Sequence, residues 1–150
     1  MALKSLFPVF LTSNPAEARD FYVQHFGFRV VFEADWYVQL HGCRGDGSPP
    51  LELAFMLPDL ADQPAALHAA FSGSGVILTI EVDDAEAMHA KLHEAGALRD
   101  AIVTLRDEPW GQRHFLFRDP TGTLLDVVQQ IPPAPEYVAT YSPPEARGHG

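Results

Sequence analysis

Apolar and polar positions along the chain follow two alternating rhythms, and the rhythms change in the same order twice. "SLFPVFLT", "FRVVFEA", "WYVQLHG" and "LELAFML" in the first half have the two-residue alternation or short apolar runs of strands. "GVILTIEV", "AIVTLRD", "RHFLFRD" and "LLDVVQQ" repeat this in the second half. After the first strand of each set comes a stretch with helical spacing. Ala18, Phe21, Tyr22 and Phe26 share one face of "SNPAEARDFYVQHFGF"; Ala85, Met88, Leu92 and Ala95 share one face of "VDDAEAMHAKLHEAGA". Asn14 is placed to cap the first helix, Pro15 suits its first position and Glu17 completes a capping box. Asp83 is the corresponding cap of the second, with Glu86 at the same third position. Gly27 and Gly96 suit the left-handed residue that follows each helix.

The chain therefore reads as a repeat of itself, βαβββ over about residues 4–57 and again over 75–130. A linker at 58–74, rich in Pro, Ala and Asp, joins the modules, and the fold class is α+β. Residues 1–130 are expected to form a single domain, and 131–150 a Pro-rich tail, ordered then frayed, with Tyr137 and Tyr141 packing back. "DPTG" at 119–122 is a turn in which Asp119 bonds its own backbone and Gly122 accepts positive φ.

Composition narrows the functions. The 150 residues carry ten basic and twenty acidic side chains, a formal charge of −10. Nucleic acid is excluded as a partner, because its recognition needs clustered Lys and Arg. Acidity serves solubility first and is compatible with a cationic ligand. No apolar run approaches the ~20 residues of a membrane span, and "MALKSLFPVF" reads as a first strand rather than a signal peptide. The single Cys43 allows no internal disulfide, which fits a reducing cytoplasm. It is expected to be a small residue near a loop.

The two modules, with "RDFYVQHFGFRVVFE", the "VDD" before the second helix and "PWGQRHFLFRDPTGTLLDVV", resemble the vicinal oxygen chelate superfamily. That superfamily holds glyoxalase I, extradiol dioxygenases, fosfomycin-resistance enzymes and bleomycin-resistance proteins. The resemblance covers about residues 4–130 and implies that each sheet packs its helix on one side and curves around a cavity on the other. It does not name a reaction, since such a fold hosts lyases, dioxygenases, isomerases and pure binders.

Strand parity then assigns faces. Leu51, Leu53 and Phe55 belong under the helix, leaving Glu52, Ala54 and Met56 toward the cavity. Leu125 and Val127 go to the helix side, and Leu124, Asp126 and Val128 inward. Ile77, Thr79 and Glu81 oppose the helix face of Val76, Leu78, Ile80 and Val82. Phe7, Val9, Leu11, His114 and Leu116 also face inward.

In metal-dependent members, the resemblance implies four inward ligand positions, here Phe7, Glu52, Ile77 and Asp126. Two carboxylates stand there, but Phe and Ile occupy the nitrogen-ligand positions. Neither a hard ion nor zinc is well served, so no metal and no cofactor are expected. Glu52 and Asp126 are expected in one cleft, unpaired at the pocket wall. His114 is the best substitute ligand but reads better as a hydrogen-bonding wall residue. His89 and His93 fit a solvated helix face, His25 and His41 surface positions, and His149 the tail.

Phe7, Trp36, Tyr37, Met56, Thr79 and Trp110 supply an apolar, aromatic lining with few polar groups, the composition of a small-molecule site. Core packing is the competing role of Phe7 and Trp36; Trp110 belongs at the rim. Arg113 either pairs with a carboxylate or holds the "EPW" loop through Glu108. The favoured function is a metal-independent protein that binds or sequesters a cationic or aromatic small molecule, resembling bleomycin-resistance proteins and pairing as a homodimer. The alternatives are a lyase, isomerase or dioxygenase. One would use an atypical metal set; the other would be metal-free, with Glu52, Asp126 or His114 as acid or base.

Overall fold

Strands and helices follow one another as the repeat demands. The computed structural model describes residues 1–141. The elements are β1 (Val9–Leu11), α1 (Pro15–Phe26), β2 (Arg29–Ala34), β3 (Tyr37–Gly42), β4 (Leu51–Met56), β5 (Ile77–Glu81), α2 (Ala85–Glu94), β6 (Val103–Glu108), β7 (Gln112–Arg118), β8 (Leu124–Gln130) and α3 (Pro135–Val138). A 3₁₀ turn at Ala65–Leu67 interrupts the linker. Two four-stranded sheets result, ordered β1-β4-β3-β2 and β5-β8-β7-β6. β1 lies parallel to β4, whereas β4–β3 and β3–β2 are antiparallel. The first strand is shorter than its apolar run, because Pro8 has no N–H to donate; its carbonyl still accepts from the Ala54 N–H at 3.1 Å.

Two compact units divide the chain. One comprises Met1–Val76 with Arg118–Leu124, the other Ile77–Phe117 with the described residues from Leu125 onward.

In the first unit α1 covers one face of its sheet. Asn14 caps it as expected, accepting from the Glu17 N–H at 3.1 Å, and Gly27 closes it at φ 69°. Tyr22 is fully buried, its ring stacked 5.6 Å from Phe55, which stacks in turn on Phe10 at 6.0 Å. Burial of a ring of this size stabilises by about 1.5–3 kcal/mol. The Tyr22 hydroxyl donates to Asp119 Oδ2 at 2.6 Å. Asp119 Oδ1 accepts from the Thr121 and Thr123 N–H groups at 2.8 and 3.0 Å. Burial first, and then the Asp119 charge, push the Tyr22 phenol well above its ordinary pKa. His25, expected at the surface, is buried with its ring edge-on to Phe21 at 5.0 Å.

In the second unit the buried side chains Ala85 and Leu92 of α2, Phe115 and Phe117 of β7, and Leu125 and Val127 of β8 form the core. The cap of α2 is Asp84, not Asp83: its carboxylate accepts from the Ala87 N–H at 2.9 Å. The sheet decides this, because the Val82 N–H still bonds the Val128 carbonyl and the chain needs Asp83 to turn off the strand. Gln129 Oε1 takes the Ala85 N–H, satisfying a second free donor of the first turn. Gly96 has φ 68°, as expected after the helix. Tyr137 lies edge-on to Trp110 at 6.5 Å and the Tyr141 hydroxyl donates to the Trp110 carbonyl, so both tail tyrosines pack back. The expected fraying and His149 lie outside the described residues.

Candidate functional site

The helix-free faces of the sheets carry the polar chemistry. In the first unit Phe10, Leu53 and Phe55 point to the helix side, so alternation sends Val9, Leu11, Glu52, Ala54 and Met56 to the other. Directly paired residues share a face, and Tyr37 pairs with Met56, Gln39 with Ala54 and His41 with Glu52. His41 Nε2 lies 3.0 Å from Glu52 Oε1, with side-chain exposures of 21% and 16%. Gln39 Nε2 donates to the same oxygen at 3.4 Å, and the Tyr37 hydroxyl donates to Gln39 Oε1 at 3.1 Å. Burial, and then the Glu52 charge, raise the Tyr37 phenol above its ordinary pKa. The result is a polar ladder, Tyr37–Gln39–Glu52–His41. The β2–β3 hairpin register sets Phe32 opposite Gln39, where its ring meets Tyr37 edge-on at 5.8 Å; a bulge just beyond it, between Val30 and Phe32, puts Arg29 opposite His41.

A second cluster stands on the other sheet. His114 of β7 faces two carboxylates: Nδ1 is 2.8 Å from Asp126 Oδ1, and Nε2 is 3.3 Å from Glu108 Oε1. A neutral imidazole donates through one nitrogen only, whereas the protonated ring satisfies both contacts. Arg106, opposite His114 in the β6–β7 hairpin, bonds Glu108 as well. The Arg106 hydrogen bond foremost, and His114 less strongly, hold the Glu108 carboxyl below its ordinary range. Glu52 and Asp126 are thus on helix-free faces, but neither is unpaired. The expectation of free carboxylates is corrected, because each has an imidazole on the neighbouring strand of its own sheet. His41, expected on the surface, is half-buried.

The remaining expected residues are dispersed. Phe7 is half-buried ahead of β1, and Met56 is buried. Ile77 and Thr79 are exposed on β5. Trp36 is exposed in the β2–β3 turn, its ring 5.5 Å from Tyr37. Trp110 sits at the β6–β7 turn and donates to Gln112 Oε1 at 2.8 Å. Arg113 forks onto Asp107 at 2.7 and 3.0 Å, leaving Glu108 to Arg106 and His114. His41, Gln39 and Glu108 were missed. Parity held the signal for the first two, since Tyr37, Gln39 and His41 are successive alternate residues; Glu108 meets His114 only through the pairing register of the β6–β7 hairpin.

These residues do not suit the implied metal. Phe7 and Ile77 offer no donor atom, and Glu108 and Asp126 approach opposite nitrogens of His114, so their lone pairs diverge instead of meeting at a point. Among the described residues no three His, Cys, Asp or Glu side chains are grouped to hold an ion. No described helix is long and apolar enough to cross a membrane.

Comparison with known proteins places these faces in context. No curated protein matches the chain significantly in sequence. Among solved structures, TnmS3, an antibiotic binding protein from Streptomyces sp. CB03234, is 23% identical over 87% of this chain and 98% of its own, with a TM-score of 0.63. A lactoylglutathione lyase from Agrobacterium tumefaciens is 18% identical over 84% and 92%, TM-score 0.63. A glyoxalase/bleomycin resistance protein/dioxygenase from Nocardioides is 16% identical over 87% of each, TM-score 0.65. At these identities the likeness is one of fold. The Glyoxalase/Bleomycin resistance protein/Dioxygenase superfamily model matches residues 7–127, and the chain belongs to that superfamily.

Proposed function

We propose that this protein binds and sequesters a small molecule without a metal, its ligand meeting a helix-free sheet face. One observation carries the reading: Glu52 and Asp126, at positions where the resemblance implies metal ligands, are each hydrogen-bonded to a histidine of the same sheet. A carboxylate held in this way presents a fixed, directional acceptor to a ligand donor, with Phe32, Trp36 and Tyr37 supplying aromatic surface beside one of them. An aromatic ligand bearing a cation or hydrogen-bond donors fits that chemistry, and an antibiotic binding protein among the structural relatives supports it. A homodimer in a reducing cytoplasm belongs to the same proposal, with Cys43 as a free thiol.

Metal analysis after dialysis, paired with native mass spectrometry of the purified protein, tests it. The expected result is less than stoichiometric Zn, Ni, Fe or Mn, a dimer mass, and an organic adduct that Glu52→Gln weakens. About one ion per chain would overturn metal independence. A second reading rests on His114 alone: an imidazole between two carboxylates is also an arrangement for proton transfer. Turnover of the co-purifying molecule, lost in His114→Gln, would favour that enzyme over a binder.

A further inference from the structure

Positive charge is scarce in this chain, and its commitments are informative. Arg19 bonds Asp20 and Glu33, Arg106 bonds Glu108, and Arg113 bonds Asp107. Arg118 donates to the carbonyls of Gly73 and Gly122 at 2.9 and 2.7 Å. Arg99 makes no ion pair or side-chain hydrogen bond among the described residues, and neither do Arg29 and Arg44. Arg29 and Arg44 line one solvent-open concavity of about 190 Å³ at the β3–β4 loop, together with Cys43, Gly45, Gly47 and Ser48.

The loop is shaped for this role. Gly45 and Gly47 both have φ 77°, and a side chain at either would enter open space, so the backbone itself is left accessible. Backbone turning through alternate left-handed residues aims N–H groups into a concavity, which favours anions. Asp46, in the same loop, is not part of the lining; its carboxylate accepts the Ser48 N–H at 2.9 Å, and its bonds with Ser48 foremost, then the Arg44 charge, hold its pKa below the ordinary carboxylate value. Two guanidinium groups face the same small space in an acidic protein, Arg29 with no carboxylate partner and Arg44 with only the charge of Asp46 beside it. Together they are a recognition device for an oxyanion.

We propose that the β3–β4 loop and Arg29 form an anion subsite that takes a phosphate or carboxylate group. Arg29 pairs across the strands with His41 and so shares its face. The subsite therefore borders the Tyr37–Glu52 ladder but uses none of its residues. It stands whether the ladder's ligand is bound or turned over.

Cys43 is the chain's one cysteine and is exposed, so it reports occupancy directly. Its labelling by an uncharged maleimide is followed at constant ionic strength, with sodium chloride exchanged for inorganic phosphate or for acetate. Saturable slowing by one of these is expected, and the effective ion identifies the oxyanion class. In Arg29→Gln/Arg44→Gln its midpoint should rise at least about tenfold. The single Arg44→Gln change, in an exposed loop, serves if the double variant does not fold, with a smaller rise in midpoint. Labelling unaffected by either ion, or slowed equally in the variants, would overturn the proposal.

Discussion

Asp126→Ala removes the carboxylate that faces His114 Nδ1 at 2.8 Å, in surroundings where the two side chains keep only 17% and 11% of their exposure. A hydrogen bond to a charged group contributes about 1.5–3 kcal/mol, and leaving a buried donor without its partner costs a similar amount. His114 keeps Glu108 on its other nitrogen and some access to water, which places the loss at the lower end, about 1–2 kcal/mol. For a chain of this length each kcal/mol moves Tm by about 2–4 °C, so a fall of about 2–8 °C is expected. Asp126→Asn preserves shape and one acceptor oxygen and should lose roughly half as much. Thermal and urea unfolding of Asp126→Ala, His114→Ala and the double variant form a cycle whose coupling should be about 1 kcal/mol. Additive single effects, or an Asp126→Ala variant as stable as the parent, would show that the imidazole contact holds nothing together. The carboxylate would then be maintained for a ligand alone.

Tyr22→Phe keeps the stacked ring but takes the donor from Asp119 Oδ2 at 2.6 Å; a loss of about 1.5–3 kcal/mol in urea unfolding is expected. Gly27→Val and Gly96→Val should each destabilise by about 1–2 kcal/mol through backbone strain alone, since a side chain at either position meets no neighbour; unchanged Tm values would disprove it. Gly111→Ala should cost more than Gly27→Ala in the same assay, because its φ is 105° and the new carbon would lie 2.9 Å from the Ile131 carbonyl oxygen. Glu108 and Asp107, held by Arg106 and Arg113 respectively, have folded pKa values below their unfolded ones. Their contribution to stability is full above about pH 4.5, the unfolded range, and is lost as pH falls through the folded values. Arg106→Gln should therefore flatten the acid limb of a Tm-against-pH curve, and an unaltered limb would refute the assignment.

What the sequence determined by itself was local. The two helices, their capping asparagine and closing glycines, and the eight strands are written in periodicity and in residues that tolerate only certain φ values. Parity, a property of any single strand, was enough to put Glu52 and Asp126 on the helix-free faces. Tertiary structure decided whatever depended on a neighbour outside the strand. The partners of those carboxylates, His41 and His114, come from adjacent strands, and pairing register brings each within reach of its carboxylate. Glu108 and Phe32 owe their neighbours to hairpin register on the turn side of each bulge, whereas the bulges displace Val103 and the pair Val30 and Arg29 by one residue. Asp84 displaced Asp83 as a cap because the sheet continues through Val82, a fact about hydrogen bonding between strands rather than about either aspartate. Tyr22 read as an apolar helix position until the fold brought Asp119, 97 residues further along the chain, to its hydroxyl. Periodicity encodes which way a side chain points; what it meets there is fixed only when distant strands choose their register.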